Sequence, residues 1–296
     1  MILEADETHE NFGRRAAAFL ETIKFSHSIF ALPFALVSML AAWNGVPPFR
    51  TIFWIVIACV SARTAAMCFN RVVDAKFDAN NPRTEKRALV TGELSREFVI
   101  GVMAASIAIF YFSAAMLNRE CFILSTPTLA VLLGYSLTKR FTDLSHYALG
   151  AALGLAPIGA WVAVLGGISL TPVFLAAAVV LWVAGFDILY SCQDFEIDSA
   201  NEELHSLPKR LGIAGAMNFA RRTHAVAMIF FLLFWIASPL GVPALIGILA
   251  IGLLLAHQHR LLRPNDLSRM DAAFFTTNGV ISAGFLVLVL IDVLAG

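Results

Sequence analysis

The chain has 296 residues, of which 59% are hydrophobic and only 14% are charged. Soluble domains carry about 25% charged residues, so a soluble fold could not cover this composition with polar surface, and lipid is the expected outer solvent. The 21 basic and 21 acidic residues balance, which indicates no nucleic-acid partner.

Apolar runs long enough to cross a membrane recur along the chain. A bilayer core about 30 Å thick needs about 20 helical residues. The single-span runs are residues 25–49, 51–69, 98–117, 121–138 and 272–291. Two longer runs each provide two spans, because turn residues divide 144–186 at Gly166-Gly167 and 223–259 at Pro239 to Pro243. We therefore predict an all-α polytopic membrane protein with nine transmembrane helices.

The basic residues predict the orientation of these helices. Eighteen of the 21 Lys and Arg residues fall in the N-terminal segment and in the even-numbered connections. Cytoplasmic loops carry such an excess of positive charge. We expect a cytoplasmic N-terminus, an outer C-terminus, and a location in the cytoplasmic (inner) membrane.

An internal repeat is indicated by two pairs of acidic residues. Asp74 and Asp78 precede Asp194 and Asp198 by 120 positions, and each pair follows the second helix of a four-helix unit. The pattern predicts one domain, residues 1–296, in which helices 1–4 and 5–8 are related halves facing one cavity and helix 9 is added. Coincidental spacing is the alternative.

The first acidic motif has the spacing of a helical face. Asn70, Asp74 and Asp78 lie four residues apart, so they share one face, and Arg63 points the same way two turns deeper. Mg²⁺ prefers oxygen ligands and is usually held by one or two carboxylates and substrate phosphates. The alternative is a solvated helix end whose acids pair with neighbouring basic residues.

The second acidic motif repeats this arrangement. Asp187, Asp194 and Asp198 also share a face, and Asp187 directly follows the apolar run 144–186, in the membrane part of the sixth predicted helix. A carboxylate in the membrane is costly and is by default a functional hypothesis, with a structural hydrogen bond to a neighbouring helix as the alternative. Two facing acidic motifs would repel one another unless divalent cations neutralised them, and such cations attract diphosphate.

Basic residues follow both acidic motifs. Arg83, Arg87, Lys209 and Arg210 could bind the remaining oxygens of a diphosphate. Tyr135 and Lys139 lie one turn apart at the cytoplasmic end of the fourth span, where Lys139 could touch diphosphate and Tyr135 the reacting carbon. The alternative for this pair is an anchor at the lipid headgroups.

These motifs together resemble the UbiA superfamily of membrane prenyltransferases. They are NRVVDAKFD at 70–78, YSLTK at 135–139 and DFEID at 194–198. The resemblance implies a helical bundle around a central cavity open to membrane lipid, with Mg²⁺ as cofactor and a polyprenyl diphosphate as substrate. It implies metal ligands at Asn70, Asp74, Asp78, Asp194 and Asp198, and catalytic roles for Asp74, Asp194, Tyr135 and Lys139. Arg71 departs from the family pattern, which usually has Asp there.

The segments around these motifs resemble the bacterial 4-hydroxybenzoate polyprenyltransferase-like branch. This implies prenylation of an aromatic acid, either 4-hydroxybenzoate or a 1,4-dihydroxynaphthoate, in ubiquinone or menaquinone synthesis. Lys24, Arg63 and Asp187 are the candidate acceptor-binding residues, because a carboxylate in an apolar cavity needs a fixed cation. Arg63 could instead neutralise Asp187. A transporter with an intramembrane acidic site is the competing function.

Overall fold

Helices make up nearly all of the part of the chain that the structure describes. The structure is a computed structural model, and it describes residues 18–19, 21–22 and 30–295. Within those residues the only strand-like pairing is an isolated bridge between Arg263 and Asp266. The helices are α1 (Leu32–Trp43), α2 (Phe49–Asp78), α3 (Ala88–Thr91), α4 (Arg96–Leu117), α5 (Arg119–Thr138), α6 (Ser145–Leu165), α7 (Leu170–Ser191), α8 (Phe195–Ala200), α9 (Leu207–Ala237), α10 (Val242–Leu261) and α11 (Thr277–Ala295). A 3₁₀ turn, Cys192–Asp194, precedes α8, and a π-helical turn, Ala272–Thr276, precedes α11.

Eight helical segments of the described chain are long and apolar enough to cross a membrane, so the chain is a multi-pass membrane protein and the all-α prediction is confirmed. The ninth apolar helix is α1, which has 12 residues. Residues 25–29 of the first predicted span lie outside the described part. The count of nine spans, the cytoplasmic N-terminus and the two related halves therefore stay predictions.

Local sequence signals explain several helix ends. Ser95 accepts a hydrogen bond from the backbone N–H of Phe98 at the start of α4, as N-cap serines do. The Asn118 side chain accepts a hydrogen bond from the backbone N–H of Cys121 at the start of α5. Gly166, with φ 69°, ends α6 at the predicted division, because a left-handed residue there suits glycine.

Two helices extend beyond the predicted apolar runs. Helix α2 continues to Asp78, so the first acidic motif is helical, as its four-residue spacing requires. Helix α9 begins at Leu207 and contains the basic residues that ended the sequence prediction. Its first turns are offset by a non-helical residue, Gly212, with φ 69° and ψ 165°. Apolar length underestimates both helices because each has charged residues within its helical range.

The centre of the hydrophobic core is a cluster of aromatic side chains. Trp182 and Phe34 are fully buried with their rings 5.0 Å apart, and Phe231 and Phe285 also pack on Phe34. Helices α1, α7, α9 and α11 meet at this cluster. Their contact forms a shared hydrophobic core.

Helix α7 packs closely against α6. A Cβ at Gly150 would lie 2.3 Å from the carbonyl oxygen of Val180, so only glycine permits this approach of the two backbones. His146 lies one turn before Gly150, and Asp187 lies two turns after Val180. The close approach therefore brings a histidine of α6 to a carboxylate of α7.

Candidate active site

Two adjoining cavities lie between the helices. The larger, about 660 Å³, is mainly apolar, and the smaller, about 290 Å³, is polar. The acidic motifs and the polar cavity coincide, since Asn70, Asp74, Asp78, Asp194 and Asp198 all line it. The residues that line both cavities are Asn70, Arg71, Arg83, Arg87, Tyr135, Leu149, Asp187 and Tyr190. A molecule with a charged head and an apolar tail could occupy the two spaces together.

Asp74 is the most buried carboxylate of the first motif, with 3% of its surface exposed. Its Oδ2 accepts hydrogen bonds from Asn70 Nδ2 at 2.9 Å and Lys139 Nζ at 2.7 Å. Arg140 lies 3.4 Å from Oδ1. Lys139, the predicted diphosphate ligand, thus lies beside the first motif, and the buried acid is stabilised by charged donors.

Asp78 is held by the loop that follows α2. Arg87 Nη1 donates to Asp78 Oδ2 at 2.6 Å, and Thr84 Oγ1 donates to the Asp78 carbonyl at 3.0 Å. The loop therefore folds back over the end of its own helix. This arrangement puts the Arg87 guanidinium at the wall between the two cavities.

Arg83 connects the two acidic motifs. Its Nε and Nη2 donate to the two carboxylate oxygens of Asp194, and its Nη1 donates to Tyr190 Oη at 2.9 Å. Asn81 Nδ2 also donates to Asp194, at 3.0 Å. Burial by itself would lower the pKa of Arg83, but the hydrogen bonds and charge of Asp194 outweigh it, so the pKa lies above its ordinary value.

Aromatic rings continue from Tyr190 into the apolar cavity. Tyr190 stacks on Phe274 of the π-helical turn with centroids 4.1 Å apart, and Phe274 meets Phe186 edge-on at 5.2 Å. All three rings line the apolar cavity. The π turn that presents Phe274 is secured by the buried Gln258, which donates to the Ala273 carbonyl at 2.6 Å.

Arg71 holds Asn70 in place. The Arg71 side chain is buried, its Nε donates to the Thr22 carbonyl at 3.0 Å and its Nη1 donates to Asn70 Oδ1 at 3.2 Å. Asn70 in turn donates to Asp74. Arg71, which replaces the usual Asp of the family pattern, therefore leaves Asn70, Asp74 and Asp78 on one helical face. It also adds a positive charge next to Asn70.

Sequence reasoning missed His146. Its Nδ1 lies 2.7 Å from Asp187 Oδ2, its side chain is 5% exposed, and it lines the polar cavity. The available signal was a histidine near the start of the run 144–186, which carries no charged residue. The structural alternative foreseen for Asp187, a hydrogen bond to a neighbouring helix, is observed.

Two predicted diphosphate ligands lie elsewhere. Lys209 Nζ donates to the carbonyls of Asn201 and Leu204, at 2.7 and 2.8 Å, and so fastens the loop after α8. Arg210 is largely exposed and lies 3.5 Å from Asp143. Neither lines the polar cavity, since Lys209 is engaged by loop carbonyls and Arg210 lies beside Asp143. Lys24 lies outside the described residues.

Comparison with known proteins identifies the family. The model of the UbiA prenyltransferase family matches residues 31–280. The chain belongs to the UbiA prenyltransferase family. The predictions of this family and of an enzyme that transfers prenyl groups are therefore confirmed, and the transporter alternative is set aside.

Individual UbiA relatives cover nearly the whole chain. A 4-hydroxybenzoate octaprenyltransferase of Paracidovorax citrulli (strain AAC00-1) is 27% identical over 289 residues, which is 92% of this chain and 95% of the relative. The apo structure of a UbiA homologue from Aeropyrum pernix K1 is 33% identical, with a TM-score of 0.82 over 90% of this chain and 98% of the homologue. A UbiA homologue from Archaeoglobus fulgidus, bound to DMAPP and Mg²⁺, shares the fold at 18% identity and a TM-score of 0.72, over 94% and 99% of the two chains.

The donor set of the polar cavity suits a UbiA enzyme that uses Mg²⁺. Among the described residues, no three His, Cys, Asp or Glu side chains are grouped closely enough to form a metal site by themselves. The carboxylates lining the cavity are instead spread over two motifs, and in each motif at least one carboxylate is paired with a Lys or Arg side chain. Mg²⁺ commonly takes one or two carboxylates and completes its shell with phosphate oxygens and water, and hard oxygen donors of this kind match that preference.

Proposed function

We propose that this protein transfers a polyprenyl group from polyprenyl diphosphate to an aromatic acid, with Mg²⁺ as cofactor, at the cytoplasmic side of the inner membrane. The observation that carries the proposal is the junction between a polar cavity lined by both acidic motifs and an apolar cavity of about 660 Å³. The names of the curated relatives favour 4-hydroxybenzoate as the acceptor. A 1,4-dihydroxynaphthoate is the second candidate.

The polar cavity would bind the diphosphate. Asp74, Asp78, Asp194 and Asp198, with Asn70 beside them, would hold Mg²⁺. When bound, this ion neutralises the oxygens of the leaving diphosphate. Lys139, Arg83 and Arg87 already reach these carboxylates, so small side-chain movements would let them donate to phosphate oxygens. These cations favour departure of the diphosphate because negative charge accumulates on it.

The apolar cavity would hold the isoprenoid and exclude water. Its wall includes Phe186, Phe274 and Tyr190, whose ring faces can stabilise positive charge on an allylic carbon. Tyr135 lines both cavities, which suits a residue close to the bond that breaks. Arg63 lines the apolar cavity and supplies a fixed cation for the acceptor carboxylate.

The test is an assay with purified protein, a labelled polyprenyl diphosphate and a panel of aromatic acids. We expect ring-prenylated product that disappears with EDTA and returns with Mg²⁺. Asp74→Asn should reduce turnover on the order of 100-fold or more. The matched control is Asp271→Asn, because Asp271 is exposed and lines neither cavity. Full activity in EDTA would show that Mg²⁺ is not required. Turnover of only non-aromatic acceptors would show that the proposed function is wrong.

A further inference from the structure

A buried imidazole lies beside the proposed reaction site without an assigned role. His146, in the first turn of α6, is 4% exposed and lines the polar cavity. Its Nδ1 lies 2.7 Å from Asp187 Oδ2. Its Nε2 is also buried and has no hydrogen-bond partner among the described residues. One ring nitrogen is thus engaged and the other is available.

The carboxylate sets the chemistry of the available nitrogen. An ionised carboxylate can only accept a hydrogen bond, so a neutral imidazole bonded to an ionised Asp187 carries its proton on Nδ1 and its lone pair on Nε2. If Nε2 takes up a proton, the Asp187 carboxylate balances the new charge across the same hydrogen bond. A histidine oriented in this way by a carboxylate is suited to act as a general base.

The position of the pair matches the need for a base. Asp187 and the neighbouring Leu149 line both cavities, so the pair lies where the diphosphate space meets the apolar space. Replacing a ring hydrogen by a prenyl group releases one proton. The carboxylates that would hold Mg²⁺ are poor bases while they do so, whereas Nε2 is not committed to any described group.

We propose that His146 Nε2 accepts the ring proton released when the aromatic acceptor is prenylated, an inference that rests on the proposed function. The allylic C–O bond breaks and its electron pair leaves with the diphosphate. A ring carbon forms the new C–C bond. The electron pair of the ring C–H bond then restores aromaticity as the proton passes to Nε2, and the imidazolium later releases it to water. Asp187 is the positioning residue.

The test compares His146→Ala, Asp187→Asn and the parental protein, using an acceptor deuterated at the ring carbon that is prenylated. His146→Ala should lower kcat on the order of 100-fold or more while binding of the prenyl diphosphate stays unchanged. Loss of the proton should become rate-limiting, so a primary deuterium isotope effect should appear that is small in the parental enzyme. Added imidazole should restore part of the rate. Asp187→Asn should approach the same loss, because an amide that donates to Nδ1 moves the proton to Nε2.

The matched control is His259→Gln. His259 is half-buried, is hydrogen-bonded to another histidine, His224, and lines neither cavity. Its replacement should therefore leave kcat and the isotope effect at parental values. A parental kcat in His146→Ala, an isotope effect that does not change, or an equal loss of prenyl diphosphate binding would each overturn the role of His146. If the parental protein prenylates no aromatic ring carbon, the proposed function fails first and this inference fails with it.

Discussion

Arg83 and Asp194 are joined by two parallel hydrogen bonds, from Nε to Oδ1 at 3.0 Å and from Nη2 to Oδ2 at 2.5 Å, although 111 residues separate them. The planar guanidinium matches the geometry of the carboxylate, which a lysine ammonium cannot reproduce. The pair closes the loop after α2 onto the start of α8. It therefore ties the two acidic motifs into one site.

Arg83→Lys should raise the KM for prenyl diphosphate and lower kcat, together by about tenfold or more, because it keeps the charge but loses the bidentate contact. Steady-state kinetics with each substrate varied would measure both effects. Arg119→Lys is the control, since Arg119 is exposed and lines neither cavity. Unchanged constants in Arg83→Lys would show that the fork geometry is unimportant.

Arg63→Ala should raise the KM for the aromatic acid strongly and leave the KM for prenyl diphosphate nearly unchanged. The reason is that Arg63 lines the apolar cavity, where an acceptor carboxylate needs a fixed cation. Arg63→Lys should recover part of the acceptor affinity. An equal rise in both constants, or unfolding in detergent, would support a structural role instead.

Gly150→Ala should destabilise the protein, because the added Cβ would lie 2.3 Å from the Val180 carbonyl oxygen and push α6 from α7. Overpacking of this kind costs about 1–3 kcal/mol. Gly159→Ala in the same helix meets no atom within 4 Å and serves as the control. Thermal unfolding in detergent should give a lower midpoint for Gly150→Ala alone, and equal midpoints for the two variants would refute the close approach of α6 and α7.

The orientation prediction can be checked with reporter fusions. A reporter that is active only outside the cytoplasm should work when fused after Gly296 and should be silent after Arg87. The physical reason is the excess of basic residues in the even-numbered connections. The reverse pattern of activity would place the polar cavity on the outer side of the membrane.

The sequence alone determined the membrane class, the division of the long apolar runs and the acidic motifs that line the candidate site. Those features are local. A run of about 20 apolar residues is long enough to cross the membrane, and this length can be read without knowing which helices pack around it. Gly166 ends a helix through its own backbone conformation. Four-residue spacing puts Asn70, Asp74 and Asp78 on one helical face. The family resemblance rested on the same local motifs.

Only the tertiary structure decided which side chains meet. Lys139 reaches Asp74, while Lys209 binds loop carbonyls and Arg210 lies at the surface. Sequence could not separate these basic residues, because their directions depend on where the loop after α8 and the first turns of α9 fold. The contact of His146 with Asp187 likewise depends on how closely α6 approaches α7. The rotation and distance of packed helices are set by contacts far apart in the chain, which local periodicity does not contain.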